Sequence, residues 1–462
     1  MRLLVKSHIR VRKSQVPEDL LFWLQKQLTF NNPERAGAYK GKAKRFARFL
    51  PEYIYSYYVK GSHLYIDRGF LYSMTKYMDK HEIKYTIDDR RHTRTAHLSL
   101  TPIRLRRYQK KAVKRALTFL NGIIIMPCGA GKTITLTDII RRFDQHTLVI
   151  VHTDALLNQW VDYYKEHYNY EVGVIKGQRV DIKPITIASI QTLYARELTT
   201  KFLEMWGMVV VDEVHHQPAD SFKSVVNLFP AKYRFGTTAT PYRSDGLIKM
   251  MFAGIGPVIS KISSYKLSKL GFIMIPTVKI INTEFHSPKS RFISVVSDLI
   301  KDRKRNELII ENVLNHKDSF KLVLSGRIKH LEILAAMYAK HDANFKVVTG
   351  AVKGSERDGI IDQMRKGHIK TIFATTIADE GLDIPNLDVV YLTTPTKADG
   401  RIEQRIGRVQ RVYPGKNTPL VYDFSDWWMP RLAAFTDHRV ALYTELGVKI
   451  EQKAKYFKSR NF

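Results

Sequence analysis

The chain has 462 residues, room for about three domains of ordinary size, and its 44% apolar content can fill real cores and excludes a disordered chain. A formal net charge of +31 makes an acidic polymer the expected partner, nucleic acid first and an anionic membrane surface second. No apolar run approaches the ~18 residues of a membrane span, charge interrupts the N-terminus too early for a signal peptide, and one cysteine, Cys128, excludes an intramolecular disulfide or a multi-cysteine metal site, so the expectation is a soluble cytoplasmic protein off the membrane.

Residues 1–97 carry no catalytic motif and hold a surplus of positive charge, with 20 Lys and Arg against 9 Asp and Glu in residues 1–100. The spacing predicts a helix over 18–28, then a basic segment at 40–49. Tyr53 to Val59, a Lys60-Gly61-Ser62 turn and His63 to Asp67 read as a β-hairpin, followed by a helix near 69–81 and a strand near 83–87. This is a small basic α+β domain. Basic residues interleaved with tyrosines suit a surface that holds phosphates and stacks bases; the competing reading puts the tyrosines in a core.

From 98 to about 270, apolar strand-like runs alternate with helical stretches, the pattern of an α/β parallel sheet. The predicted strands are 122–126, 147–151, 171–175, 185–188, 208–211 and 234–237. A Gly- and Pro-punctuated passage (Gly254, Gly256, Pro257, Gly271, Pro276) reads as a linker, and the alternation restarts at 321–324, 345–348, 371–374, 389–392 and 420–422. The expected division is 1–97, 98–270, 271–436, and a C-terminal helix with basic tail over 437–462.

Ile123-Ile124-Ile125-Met126-Pro127-Cys128-Gly129-Ala130-Gly131-Lys132-Thr133 reads as a buried strand, a glycine-rich turn and the start of a helix. That is the context in which a phosphate-binding loop makes physical sense. Gly129 and Gly131 let backbone N–H groups converge on an anion, and the helix adds its positive end. Lys132 would reach the β- and γ-phosphates of ATP, and the Thr133 hydroxyl would ligate Mg²⁺. The full Walker pattern wants a glycine where this chain has Met126. Further on, Met208-Val209-Val210-Val211 delivers Asp212 and Glu213 to a strand end. Carboxylates there can hold Mg²⁺ (Asp212) and polarise the attacking water (Glu213). The following His215-His216 pair points to opposite faces of a strand and makes a poor zinc site.

The order of motifs resembles a superfamily 2 helicase over roughly residues 101–425. Asp212-Glu213-Val214-His215 resembles motif II, Thr238-Ala239-Thr240 motif III, residues 374–385 motif V and residues 404–411 motif VI. Leu105-Arg106-Arg107-Tyr108-Gln109 is similar to a segment that reads adenine in the XPB, RecG and bacteriophage UvsW-type enzymes, and a glutamine amide can pair with adenine N6 and N7. The resemblance implies two tandem RecA-like lobes behind the basic domain. It places Arg106, Gln109, Pro127, Cys128, Gly129, Ala130, Gly131, Lys132, Thr133, Gly381 and Asp383 around the nucleotide, with Gln404 on the γ-phosphate. Arg408 and Arg411, three apart on a predicted helix, share one face as arginine fingers; such groups are worth ~10³–10⁵ in rate in related phosphoryl-transfer systems. Thr238 and Thr240 would couple the metal site to the nucleic-acid groove. Thr153, Ser189, Gln191, Ser325, Arg327, Thr349 and Thr375, on loops after strands, would contact nucleic acid, although a polar residue that caps a helix looks the same in sequence. In the phosphate loop, Cys128 reads as a small residue accepted by tight packing.

The expected function is that of an ATP- and Mg²⁺-dependent motor, a monomer that remodels branched or forked DNA by branch migration or fork regression, in the host cytoplasm if phage-encoded. The alternatives are an RNA helicase, a duplex translocase that does not unwind, and a nucleic-acid clamp switched by ATP.

Overall fold

A computed structural model describes residues 1–32, 35, 50–214, 219–239, 248–352, 354–375, 384–396 and 399–452. The basic segment over 40–49 and the tail from 453 onward lie outside the described residues, and no described helix is long and apolar enough to cross a membrane. The chain forms two compact units: Met1–Pro127 with Gly131–Ile262, and Ser263–Phe462 with Cys128–Ala130.

The first unit opens with β1 (Arg2–Val5), β2 (His8–Arg12), β3 (Thr29–Asn31), β4 (Tyr53–Tyr55), β5 (Tyr57–Lys60), β6 (His63–Asp67) and β7 (Thr86–Asp89). Five of them make a sheet in the order β5-β6-β2-β1-β7. Alternation sorts the side chains. Leu3, Ile9, Val11, Leu64 and Ile66 face a core with the helices Glu18–Leu28 and Leu71–Lys80, which contribute Leu20, Leu24, Leu28, Met74 and Met78 at helical spacing. On the other face Tyr58, Tyr65 and Arg10 stand in one cross-strand row.

The run from Tyr53 to Val59 is not one hairpin strand. It splits at buried Ser56, whose N–H donates to Leu28 O and whose carbonyl accepts from Asp67 N. Tyr53–Tyr55 pairs instead with Thr29–Asn31, and Phe30 and Ile54 pack on the core of the neighbouring α/β lobe.

That lobe adds β8 (Asn121–Ile125), β9 (Thr147–Val151), β10 (Gly173–Lys176), β11 (Arg179–Asp181), β12 (Ile185–Ser189), β13 (Met208–Val211), β14 (Tyr233–Thr238) and β15 (Val258–Lys261). Their order is β11-β10-β12-β9-β13-β14-β8-β15, parallel except where β11 meets β10. Parallel strands are covered on both faces, which is why Thr147–Val151 and Met208–Val211 are buried throughout. The predicted linker passage is partly sheet, since Val258–Lys261 pairs with β8 and the units divide after Ile262.

The small domain is keyed onto this lobe. A Cβ on Gly69 would lie 2.5 Å from both Ala253 O and Gly256 N, so only glycine fits there. Beside it, buried Arg68 donates from Nη1 to Ala231 O at 2.6 Å and to Lys6 O at 3.2 Å. Burial lowers the Arg68 guanidinium, takes Arg234 down to about 10 and pushes the Asp67 carboxyl up to about 6.

The second unit holds β16 (Thr277–Asn282), β17 (Lys321–Ser325), β18 (Phe345–Val348), β19 (Thr371–Thr375), β20 (Val389–Leu392), β21 (Leu420–Ser425) and β22 (Lys449–Gln452). They form one parallel sheet in the order β18-β19-β17-β20-β21-β16-β22. At the C-terminal end the helix Pro430–Glu445 leads into β22 at the sheet edge.

Candidate active site

β8 runs into the glycine turn, and the helix Lys132–Phe143 begins immediately after it. Gly129 and Gly131 have φ of 76° and 77°, a region that a Cβ penalises. Gly131 has a second reason to lack a side chain, because a Cβ there would stand 2.5 Å from Gln109 Nε2. Gln109 is buried at the start of the helix Arg107–Phe119, where its Oε1 accepts from Arg106 N at 2.8 Å. One lone pair of its amide oxygen is thus taken by the N-cap backbone, so any adenine contact must use the other lone pair or the NH₂. The Arg106 side chain is exposed and donates to the Tyr108 hydroxyl at 3.3 Å.

Met126, at the departure from the Walker pattern, is a core residue 1% exposed. Its N–H donates to Thr238 O, and its sulfur accepts from the Thr135 hydroxyl. Pro127 and Ala130 are buried and Cys128 is half-buried.

Lys132 Nζ meets Glu213 Oε1 at 2.5 Å, with the two side chains 11% and 9% exposed. Asp212, at the end of β13, accepts from Thr237 Oγ1 (2.6 Å), Trp160 Nε1 (2.9 Å) and Glu213 N (3.0 Å). Burial pushes the Asp212 carboxyl above its ordinary range and Glu213 adds to this, while Lys132, Thr237 and Trp160 pull it back. Glu213 holds φ of 48°, a left-handed conformation that costs a non-glycine residue roughly 1–3 kcal/mol and is typical of functional sites. His152, also in this pocket, is lowered by burial against the opposing pull of Glu213. The donor set fits a magnesium nucleotide: a lysine, a threonine hydroxyl at a helix start, backbone N–H groups of a glycine turn and two carboxylates.

Sequence reasoning assigned coupling to Thr238 and Thr240, yet Thr237 is the residue whose hydroxyl reaches Asp212. Thr238 is fully buried, and its carbonyl receives Met126 N. Trp160, Thr237 and His152 were missed. Trp160 closes the Leu148–Trp160 segment that resembles motif Ia, but nothing in that pattern gives it a partner, and only the fold brings it to Asp212 at the end of β13. Thr240, Gly381 and Asp383 lie outside the described residues, as does the side chain of Gln404.

In the second unit the helix Asp399–Val409 ends before Arg411, so Arg408 and Arg411 do not share a helix face. Gln410 N turns back to Gly407 O, Met274 N takes Gln410 O, and Arg411 pairs with Ile273 as a β-bridge. This extended pairing overrides the helical pattern. Arg408 and Arg411 are half-buried, and Arg405 on the same segment is 3% exposed.

The nucleic-acid candidates cluster at carboxyl ends of strands, and most also do structural work. Thr153 and Ser189 cap helices through Leu156 N (3.3 Å) and Thr192 N (3.4 Å). Ser189 also donates to Gln191 Oε1 (2.8 Å), whose Nε2 donates to His152 O (2.9 Å), tying the ends of β12 and β9 together. Thr349 accepts from Ala351 N, and Thr375 sits 5% exposed beside Ser325 in the sheet register. Ser325 does not face outward: it is buried against His330 Nδ1 at 3.0 Å, because a buried imidazole nitrogen needs a partner. Arg327 is exposed.

A phosphate loop and an acidic pair at the carboxyl ends of a parallel sheet, followed by a second parallel-sheet lobe, define a nucleotide-hydrolysing α/β motor. The model described as "Type III restriction enzyme, res subunit" matches residues 102–243, and "Helicase conserved C-terminal domain" matches 304–413. The chain is 28% identical over 357 residues to DNA 3'-5' translocase XPB2 of Sulfurisphaera tokodaii, covering 67% of this chain and 79% of that protein. A putative ATP-dependent RNA helicase of Acanthamoeba polyphaga mimivirus is 28% identical over 411 residues, covering 82% and 75%. Among solved structures, a fragment of a putative HsdR subunit of a type I restriction enzyme from Vibrio vulnificus superposes with a TM-score of 0.58 at 17% identity, over 76% of this chain and 69% of that one. These matches make the chain similar to superfamily 2 helicases of the XPB class, with parallel-sheet lobes of the RecA-like kind and the makings of an ATP-hydrolysing site.

Proposed function

We propose that this helicase acts on DNA and remodels branched or forked substrates, by branch migration or fork regression. The name of the XPB2 relative supports DNA. The open face of the N-terminal sheet supports a grip beyond a single bare strand. There Tyr58 and Tyr65 stack at 4.9 Å and 3°, next to Arg10, Arg12 and Lys60. Stacked rings among cations are what bases and phosphates require.

In hydrolysis, Lys132 exchanges Glu213 for the nucleotide's phosphates, and Glu213, so released, orients the attacking water. The observation that carries this is the Lys132–Glu213 pair itself, two opposite charges held together in a site that anionic phosphate would split. Thr133 and Asp212 would hold Mg²⁺, which neutralises phosphate charge when bound. Trp160 and Thr237 keep Asp212 aimed.

The first test is the steady-state ATPase rate with no polymer, single-stranded DNA, duplex DNA, a four-way junction and structured RNA. Greatest stimulation by the junction is expected. Stimulation by RNA alone would replace the substrate with that named for the mimivirus relative. Binding without any stimulation would make the protein an ATP-switched clamp. Lys132→Ala should lower turnover by roughly 10²–10³ or more, the scale of losing one preorganised charge-stabilising group, while salt-sensitive DNA binding persists.

A further inference from the structure

At the carboxyl end of β21 the chain runs through Asp426-Trp427-Trp428-Met429 before the helix Pro430–Glu445. Both flanks of the tryptophan pair are pinned. Asp426 is 1% exposed and accepts from Arg305 Nε (2.7 Å), Arg305 Nη2 (3.2 Å) and the Thr283 hydroxyl (2.6 Å). On the other side Met429 N donates to Asp426 O, and the Met429 sulfur accepts from Ser287 N. The two indoles stack at 4.1 Å and 29°, yet Trp428 remains 53% exposed.

A tryptophan kept for packing would be buried, as Trp160 and Trp206 are at 1% and 0%. Trp428 instead offers one ring face to solvent from a rigid mount, with Trp427 behind it. Nearby, the Arg431 guanidinium lies 4.9 Å from the Phe292 ring centroid, which keeps a cation at the same edge of the unit. The location matters as much as the chemistry. It is the carboxyl end of a parallel sheet, the end that also carries Arg327, Thr349 and Thr375.

We propose that Trp428, backed by Trp427, is a stacking platform for one nucleobase of a single strand that crosses the second unit. The inference rests on the nucleic-acid reading given above and names a binding residue outside the helicase motifs. An aromatic face accepts any base, so this contact grips without reading sequence. A positively charged chain complements the strand's phosphates.

The test uses the full chain and a single-stranded DNA oligonucleotide carrying 2-aminopurine, titrated into wild type, Trp428→Ala, Trp428→Phe and the control Tyr265→Ala, an exposed aromatic elsewhere on the unit. Loss of one stacked base corresponds to roughly 5- to 150-fold in affinity. Trp428→Ala should weaken binding within that range and relieve 2-aminopurine quenching. Trp428→Phe should recover most of the affinity, and Tyr265→Ala should match wild type. Photocrosslinking of wild type to a 5-iodouracil oligonucleotide, mapped by mass spectrometry, decides the matter independently of folding in any variant. A crosslink at Trp428 is expected. Unchanged affinity and quenching in Trp428→Ala, or crosslinks confined to other residues, would overturn the proposal. If wild type neither binds the oligonucleotide nor responds to nucleic acid in its ATPase, the broader nucleic-acid reading has failed instead.

Discussion

Asp212 shows how single residues set this site. Its carboxylate must be charged to hold a cation, yet burial and Glu213 both work against that charge, and three donors resist them. Trp160→Phe removes one donor without altering the ring packing greatly. An unmet hydrogen bond to a buried carboxylate costs on the order of 1–3 kcal/mol, so kcat/KM for ATP should fall roughly 5- to 150-fold. The carboxyl would rise further, so the deficit should be larger at pH 6 than at pH 8, and a magnesium-titrated ATPase assay at both values checks it. That Lys132 and the Asp212–Glu213 pair stand at strand ends is legible in the sequence, because each follows an apolar run, and the fold sets Lys132 against Glu213. Trp160 and Thr237 were not legible, because their roles come from proximity that only the folded sheet creates. Met126 reads as a defect in a motif, whereas the structure gives it a backbone hydrogen bond to β14 and a place in the core.

Among elements, legibility tracked burial on two faces. β9 and β13 have no polar interruption that matters and were placed at their observed ends, Thr147–Val151 and Met208–Val211. β1, β2, β16 and β22 were missed because Arg2, Arg10, Lys279 and Glu451 interrupt short runs on half-exposed strands. The helix carrying Arg408 was expected to extend past Val409, but pairing with Ile273 captures the chain first. His330 joins three elements: its Nδ1 meets Ser325 at the end of β17, and its Nε2 meets Asn306 Oδ1 on the helix Arg303–Leu314. Burial first, then Arg305, pushes the imidazole from 6.5 down to about 3. The folded state thus binds this proton more weakly than the unfolded chain does, so stability is fully present above about 6.5 and is lost as pH falls towards 3. By pH 5 the loss should reach about 2 kcal/mol. His330→Asn should flatten that slope, read as urea midpoints between pH 7 and pH 5.

At the scale of the whole molecule the excess of 31 positive charges makes binding an ion-exchange process. Affinity for DNA should fall steeply between 50 and 200 mM salt, and Arg327→Ala should reduce the log–log slope by about 1 uniformly across sequences, as expected for one phosphate contact. Equilibrium titrations at several salt concentrations measure this directly. The fit at Gly69 has a different consequence. Its Cα is pressed against the backbone at Ala253, Ile255 and Gly256, and Arg68 holds Ala231 O beside it. The N-terminal domain is therefore tied to the first lobe at a contact that leaves no room for a side chain, a fixed bracket rather than a loose tether. Such a bracket also restricts exchange: a transplanted N-terminal domain would need both sides of the Gly69 fit to come with it.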